Sequence, residues 1–167
     1  MLSEKMEAAL NGQLKHEAQA SFNYLAMASW AEGNRLDGAA EFFMEHAAEE
    51  NSHFLKIFQY INETGGKAIV PAVDQPEHSF GSILEACKKA LEHEQHVTRN
   101  VSQLVEIAVD EKDHATYDFL RFFVDEQREE EVLFNKVLDR IELIGSGPQA
   151  LYYIDKELSK IRSGIEE

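Results

Sequence analysis

The chain has 167 residues, 31 of them acidic against 16 Lys and Arg, a formal net charge of -15 with 44% hydrophobic residues. That balance predicts one globular domain over 1–167 with a sizeable core, and a surface so acidic excludes nucleic acid as a direct partner while favouring cations. No apolar run reaches membrane-spanning length, MLSEKMEAAL does not read as a signal peptide, and the lone Cys87 excludes an internal disulfide, so a reducing cytoplasmic location without membrane contact is expected.

Helical periodicity runs over 4–33, where steps of three and four place Leu10, Leu14, Glu17, Ser21, Tyr24 and Ala28 on one seam. A second helix is expected over 38–64, with Asp37 as its N-cap and a seam of Phe43, His46, Glu50, His53, Ile57 and Tyr60. Residues 65–81 have little periodicity, and only 66–73 show any strand alternation. Ser82 with Glu85 forms a capping box opening a third helix over 82–110, whose seam is Leu84, Cys87, Leu91, Glu94, Thr98, Val101 and Val105. The fourth, over 114–144, carries Leu120, Phe123, Gln127, Glu130, Phe134, Val137 and Ile141. A short fifth helix is expected over 148–163.

Such seams predict an all-α four-helix bundle. The turns near 34–37 and 111–113 are short, so each joins antiparallel neighbours. The 65–81 connection, extended, can run ~50 Å, enough to pass a helix of about 30 residues and ~45 Å. The expected order is therefore up-down-down-up with one long crossover.

Each seam is broken by one carboxylate, Glu17, Glu50, Glu94 or Glu130, with His53 and Gln127 beside them. All four lie near the middle of their helices, and midpoints meet at one level whichever way a helix points. Four converging, buried carboxylates repel one another and are costly to desolvate, and no lysine or arginine lies on a seam to neutralise them. Two divalent cations balance that charge, and oxygen ligands with one imidazole suit iron or manganese. Glu50 and His53, three apart, reach one metal together.

Other residues leave two readings open. Tyr24 is either a core tyrosine needing a hydrogen-bond partner or a redox or supporting group beside the metals. Glu49, Glu126 and Glu129 are either a solvated acidic flank or an outlying cation site. His16, His46, His78, His93, His96 and His114 show no partner spacing and read as structural or surface residues, and Cys87 as core. Asp110, Glu111, Asp113 and Asp118 form either a solvated helix junction or the lining of a cation pore.

Glu17, the run His46-Ala-Ala-Glu-Glu-Asn-Ser-His53, Glu94, the run Glu126-Gln-Arg-Glu-Glu-Glu131 and the ending Leu151-Tyr-Tyr-Ile-Asp-Lys-Glu-Leu158 together resemble the ferritin family, specifically its haem-free bacterial members, over nearly the entire chain. The resemblance implies a 24-subunit iron-storage shell with a di-iron ferroxidase centre in each bundle. One iron would be held by Glu17, Glu50 and His53, the second by Glu94, Glu130 and a bridging Glu50, with Gln127 and Tyr24 close by. A third iron site would match Glu49, Glu126, Glu129 and Glu130. Fe(II) would be oxidised by O2 or H2O2 and mineralised in the cavity. The fourth helix carries Gln127-x-x-Glu130 where bacterioferritins have a second Glu-x-x-His, and Asn51 stands where they have a haem-ligating methionine, so no haem is expected. A single cysteine excludes the Cys-x-x-Cys module of rubrerythrin-like peroxidases. The alternative function is a soluble di-iron oxidase that stores nothing.

Overall fold

A computed structural model describes residues 2–162. Five helices follow in chain order, α1 (Glu4–Gly33), α2 (Asp37–Glu63), α3 (Ile83–Asp110), α4 (His114–Ile144) and α5 (Ala150–Arg162). No strand occurs among the described residues, the 66–73 segment included. Ser3 opens α1, its side chain accepting from the Met6 N–H. Asp113 opens α4 in the same way, accepting from Thr116. Ser82 caps α3 through the Glu85 N–H, but the returning Glu85 carboxylate accepts from the Gly81 N–H, one residue earlier than a capping box requires.

The expected N-cap of α2 is corrected. Leu36, buried against the core, holds that position without a side-chain bond, and Asp37 is already helical, where its charge still favours the N-terminal dipole. The missing cap comes from α5, since Asp155 Oδ1 accepts from the Ala39 N–H at 2.9 Å. Gly38 makes this approach possible, because a Cβ there would collide with the Asp155 carbonyl. Arg35 takes a left-handed φ of 61° and turns the chain between α1 and α2.

The long connection is clipped to α1 in ascending order. Asn11 bonds Lys67 and Ile69, Gln19 bonds Asp74 at both backbone groups, and Trp30 meets Phe80 edge-on. It therefore travels alongside α1, in the same direction, and delivers the chain to the end where α1 finishes. Ser3 donating to Glu111 puts the far end of α3 beside the start of α1. The order is up-down-down-up with one crossover.

Two apolar clusters fill the bundle. One joins Tyr24, Phe42, Phe43, Ala86, Ala90, Phe134 and Val137 with Ile154 and Leu158 of α5. The other joins Met6, Leu10, Leu14, Ile57, Val101, Leu104, Leu120 and Phe123. The seam expected for α3 is shifted. Its buried face is Ile83, Ala86, Cys87, Ala90, Glu94, Val97, Val101, Leu104 and Ala108, and Leu84, Leu91, Thr98 and Val105 are only half-buried. Small alanines on the inner side let α3 pack closely, while the larger leucines cover the rim. Among the described residues no helix is long and apolar enough to cross a membrane.

Candidate metal centre

Between the two apolar clusters lies a polar layer built from one level of each helix. Glu17 and Glu94 are fully buried, Glu50 and Gln127 are each 3% exposed and Glu130 6%. Among the described residues no lysine or arginine is buried with them, so the layer holds an excess of acid in a low-dielectric core.

On one side Glu17, Glu50 and His53 each offer an atom within 4.8 Å of the other two. His53 Nδ1 stands 3.6 Å from Glu50 Oε2 and 3.8 Å from Glu17 Oε2. These separations are too long for hydrogen bonds, and the three groups are close enough together to hold a metal ion. Glu17 Oε2 and His53 Nδ1 are buried with no hydrogen-bond partner, which is costly unless something polar fills the gap. Burial and the charge of Glu50 push the Glu17 carboxyl well above the usual range, while burial and Glu94 do the same to Glu50. Gln13, buried one turn before Glu17, donates to Glu17 Oε1 at 2.6 Å.

On the other side Glu94 already has donors on both of its oxygens. Tyr24 donates to Glu94 Oε1 at 2.5 Å, and Gln127 Nε2 donates to Glu94 Oε2 at 3.0 Å. Burial pushes Glu94 up, but the nearby His93 imidazole and the bonds from Tyr24 and Gln127 outweigh it and leave the carboxyl lowered. Glu130 is pushed up to about 8 by burial and by Glu94. Its Oε2 lies 3.3 Å from His46 Nε2. The hydrogen-bond partner that the buried Tyr24 hydroxyl needs is Glu94.

The outlying acids are only partly brought together. Glu49 and Glu126 form a second group around His53, whose Nε2 is 3.8 Å from Glu126 Oε2. Glu129 is 69% exposed at its side chain and lies 3.7 Å from Arg128, so it falls outside that group. With Glu130, these three line a surface cavity of about 420 Å³ that also carries Arg128 and Lys136. The cluster from 110 to 118 is engaged locally, with Glu111 accepting from Ser3, Asp113 capping α4 and Asp118 facing Arg121.

Of the histidines read as structural or surface residues without partner spacing, His46 is structural, its Nδ1 2.8 Å from the Phe42 carbonyl oxygen, but it does have a partner across the bundle. It is 1% exposed and faces Glu130. Its place on the α2 seam, four before Glu50 and seven before His53, was the available signal. His93 Nδ1 lies 3.8 Å from Oε1 of the adjacent Glu94. His16 and His96 meet edge-on at 5.2 Å. Gln13 was hidden because the partner of a buried amide depends on packing between helices.

Comparison with known proteins identifies the family. Residues 7–144 match the family model described as a ferritin-like domain. The chain is 42% identical over 161 residues to a bacterial non-heme ferritin of Campylobacter jejuni, covering 96% of each. It is 44% identical over 158 residues to a bacterial non-heme ferritin of Staphylococcus aureus, covering 95% of each. Among solved structures it resembles an open pore ferritin from the archaeon Archaeoglobus fulgidus, at 40% identity and a TM-score of 0.91, covering 95% of this chain and 96% of that one. A four-helix bundle with one long crossover, a buried layer of carboxylates and these likenesses along nearly its entire length place the chain in the ferritin family.

Proposed function

We propose that this chain is an iron-storage ferroxidase of the cytoplasm. It takes up Fe(II), oxidises it at a paired site within each bundle and holds the Fe(III) as mineral inside a shell of 24 copies. The observation that carries this reading is the trio Glu17, Glu50 and His53, with buried atoms lacking partners, on the same level as Glu94 and Glu130. One Fe(II) is assigned to the trio and the second to Glu94 and Glu130, with Glu50 between them. The acids of the cavity outside, Glu49, Glu126 and Glu129, take a third ion in passage.

The chemistry follows from charge. Glu17, Glu50 and Glu130 hold protons in the metal-free chain, because burial and mutual repulsion disfavour their charged forms. Arriving Fe(II) displaces these protons, and the freed carboxylates favour the more highly charged Fe(III). Each Fe(II) gives up one electron. Two electrons and two protons convert O2 to H2O2, or convert H2O2 to two waters. Tyr24 and Gln127 keep Glu94 oriented throughout.

The test is iron retained per chain after aerobic Fe(II) loading and size-exclusion chromatography. Retention far above about three irons per chain, eluting with a large assembly, is expected. A plateau at about two or three would retain the paired site and replace storage with a di-iron oxidase. No retained iron would refute both.

A further inference from the structure

We infer that His16 and His96 form a two-imidazole site for zinc on the side of the bundle, separate from the carboxylate centre and independent of the paired-metal reading above. His16 belongs to α1 and His96 to α3, and their rings meet across the two helices with centroids 5.2 Å apart and planes at 75°. Two imidazoles that share one tetrahedral zinc through nitrogens ~2.0–2.1 Å from it have ring centroids about 5 Å apart. The pair already stands at that separation. His16 is half-buried and held by the wall of the bundle, while His96 is exposed and free to turn a ring nitrogen toward a common point. Among the described residues neither ring has a hydrogen-bond or carboxylate partner. Packing alone does not ask for two imidazoles here, because the exposed ring buries little surface.

The other histidines of the bundle interior are differently engaged. His46 meets the Phe42 carbonyl, His53 faces Glu17 and Glu50, and His93 turns Nδ1 inward to within 3.8 Å of Glu94 Oε1. His96 instead stands at the edge of a cavity of about 510 Å³, which leaves room for water on the remaining positions of an ion. Lys15 lies within electrostatic reach of His16 and opposes a cation, whereas Glu92 lines the same cavity as His96 and favours one. The donor set decides which cation. Two neutral nitrogens without a carboxylate are the opposite of the oxygen-rich centre; imidazole suits zinc, and Fe(II) stands below Zn(II) in the general order of affinity. Zinc has no redox chemistry, so an ion held here links α1 to α3 and takes no part in oxidation.

The test is calorimetric titration of the assembled protein with zinc chloride, comparing wild type, His16→Gln, His96→Gln, the double variant and Glu50→Ala, with aerobic Fe(II) oxidation followed in parallel. Each single histidine variant should bind one zinc ion fewer per chain than wild type, the double variant should lose no more, and Fe(II) oxidation should be unchanged in all three. Glu50→Ala, which breaks the carboxylate centre, should keep the zinc that the histidine variants lose. Anomalous scattering from a zinc-soaked crystal should place that ion between the two rings. Equal zinc counts in wild type and the single variants would overturn the site, as would loss in only one of them or a Glu50→Ala protein that binds no zinc. Slowed Fe(II) oxidation in a histidine variant would also overturn it, returning the rings to the support of the carboxylate centre. A wild type whose only zinc is the histidine-dependent one would still bear the site out. Should His16→Gln fail to assemble, His96→Gln, at an exposed position, decides alone.

Discussion

Glu17 and Glu94 are both fully buried carboxylates on the same level of the bundle, yet their surroundings push them in opposite directions. Glu17 has one donor, Gln13, and an Oε2 with no partner beside Glu50 and His53. Glu94 has Tyr24 and Gln127 donating to its two oxygens and His93 nearby. Burial alone does not decide the charge of an acid. The number of donors aimed at it does. In the metal-free chain the Glu17 carboxyl thus favours its protonated form and the Glu94 carboxyl its charged one.

The largest break in this contrast is Glu50→Ala. Glu50 belongs to the trio and also lies within electrostatic reach of Glu94 and Glu130, so its loss should disable both halves. Fe(II) oxidation followed by stopped-flow absorbance should slow by ~100-fold or more, above the range for residues that merely orient a ligand. The metal-free protein should fold and assemble, with a melting temperature equal to or above wild type, because a carboxyl that is costly to bury has gone. Unchanged oxidation would remove Glu50 from the centre.

A smaller effect is read in pH. A carboxyl raised in the folded chain binds more protons folded than unfolded, so stability falls as pH climbs from its unfolded value to its folded one. For Glu130 that window runs from about 4.5 to about 8, and Glu17 and Glu50 act in the same direction. Glu94, lowered, works the other way and only at more acid pH. The metal-free protein should therefore melt several degrees higher at pH 5.5 than at pH 8, on the order of the shift expected from one to a few kcal/mol. Glu130→Gln should flatten that slope without abolishing it. A wild-type melting temperature that rises over this range would contradict protonated Glu17, Glu50 and Glu130.

Much of this centre was legible from the chain alone, and the reason is periodicity. Glu17, Glu50, Glu94 and Glu130 each occupy a position where a helical seam demands an apolar residue, and helix midpoints necessarily share a level. The crossover was legible from its length, although its clips to Asn11 and Gln19 were not. What the sequence hid depends on which way a side chain turns between helices. Asp155 capping α2 from α5, His46 reaching Glu130 and the inner alanines of α3 all arise from contacts between elements far apart in the chain. Glu129 shows the opposite limit. Its motif was visible, but its rotation on α4 carries it to the exposed rim.

Tyr24→Phe sharpens the contrast from the partnered side. It removes one hydroxyl, leaves the ring stacked against Phe43 and Phe134, and strips Glu94 of its donor at 2.5 Å. A lost hydrogen bond to a charged group costs about 1.5–3 kcal/mol, so in an anaerobic Co(II) titration the ion at the Glu94 side should bind more weakly by roughly tenfold or somewhat more. The trio's ion should be little affected. Equal weakening of both ions would show that the two halves do not act separately.

Gln13→Leu probes the other side and should give the smallest change. Leucine is close in volume and sits in a layer bordered by Leu10 and Leu14, so folding should survive. The substitution removes the only donor to Glu17 Oε1 among the hydrogen bonds described, which makes Glu17 still harder to ionise. A neutral hydrogen bond is worth about 1 kcal/mol, which corresponds to a roughly fivefold weaker first Co(II) at pH 7. Because the loss acts through a proton on Glu17, raising the pH should shrink the difference from wild type, whereas the Tyr24→Phe difference should persist once Glu94 is fully charged. Two substitutions of similar size, one whose effect fades with pH and one whose effect remains, would separate a proton-bearing Glu17 from an ionised Glu94. A Gln13→Leu deficit independent of pH would instead mean that Gln13 orients Glu17 and has no bearing on its charge.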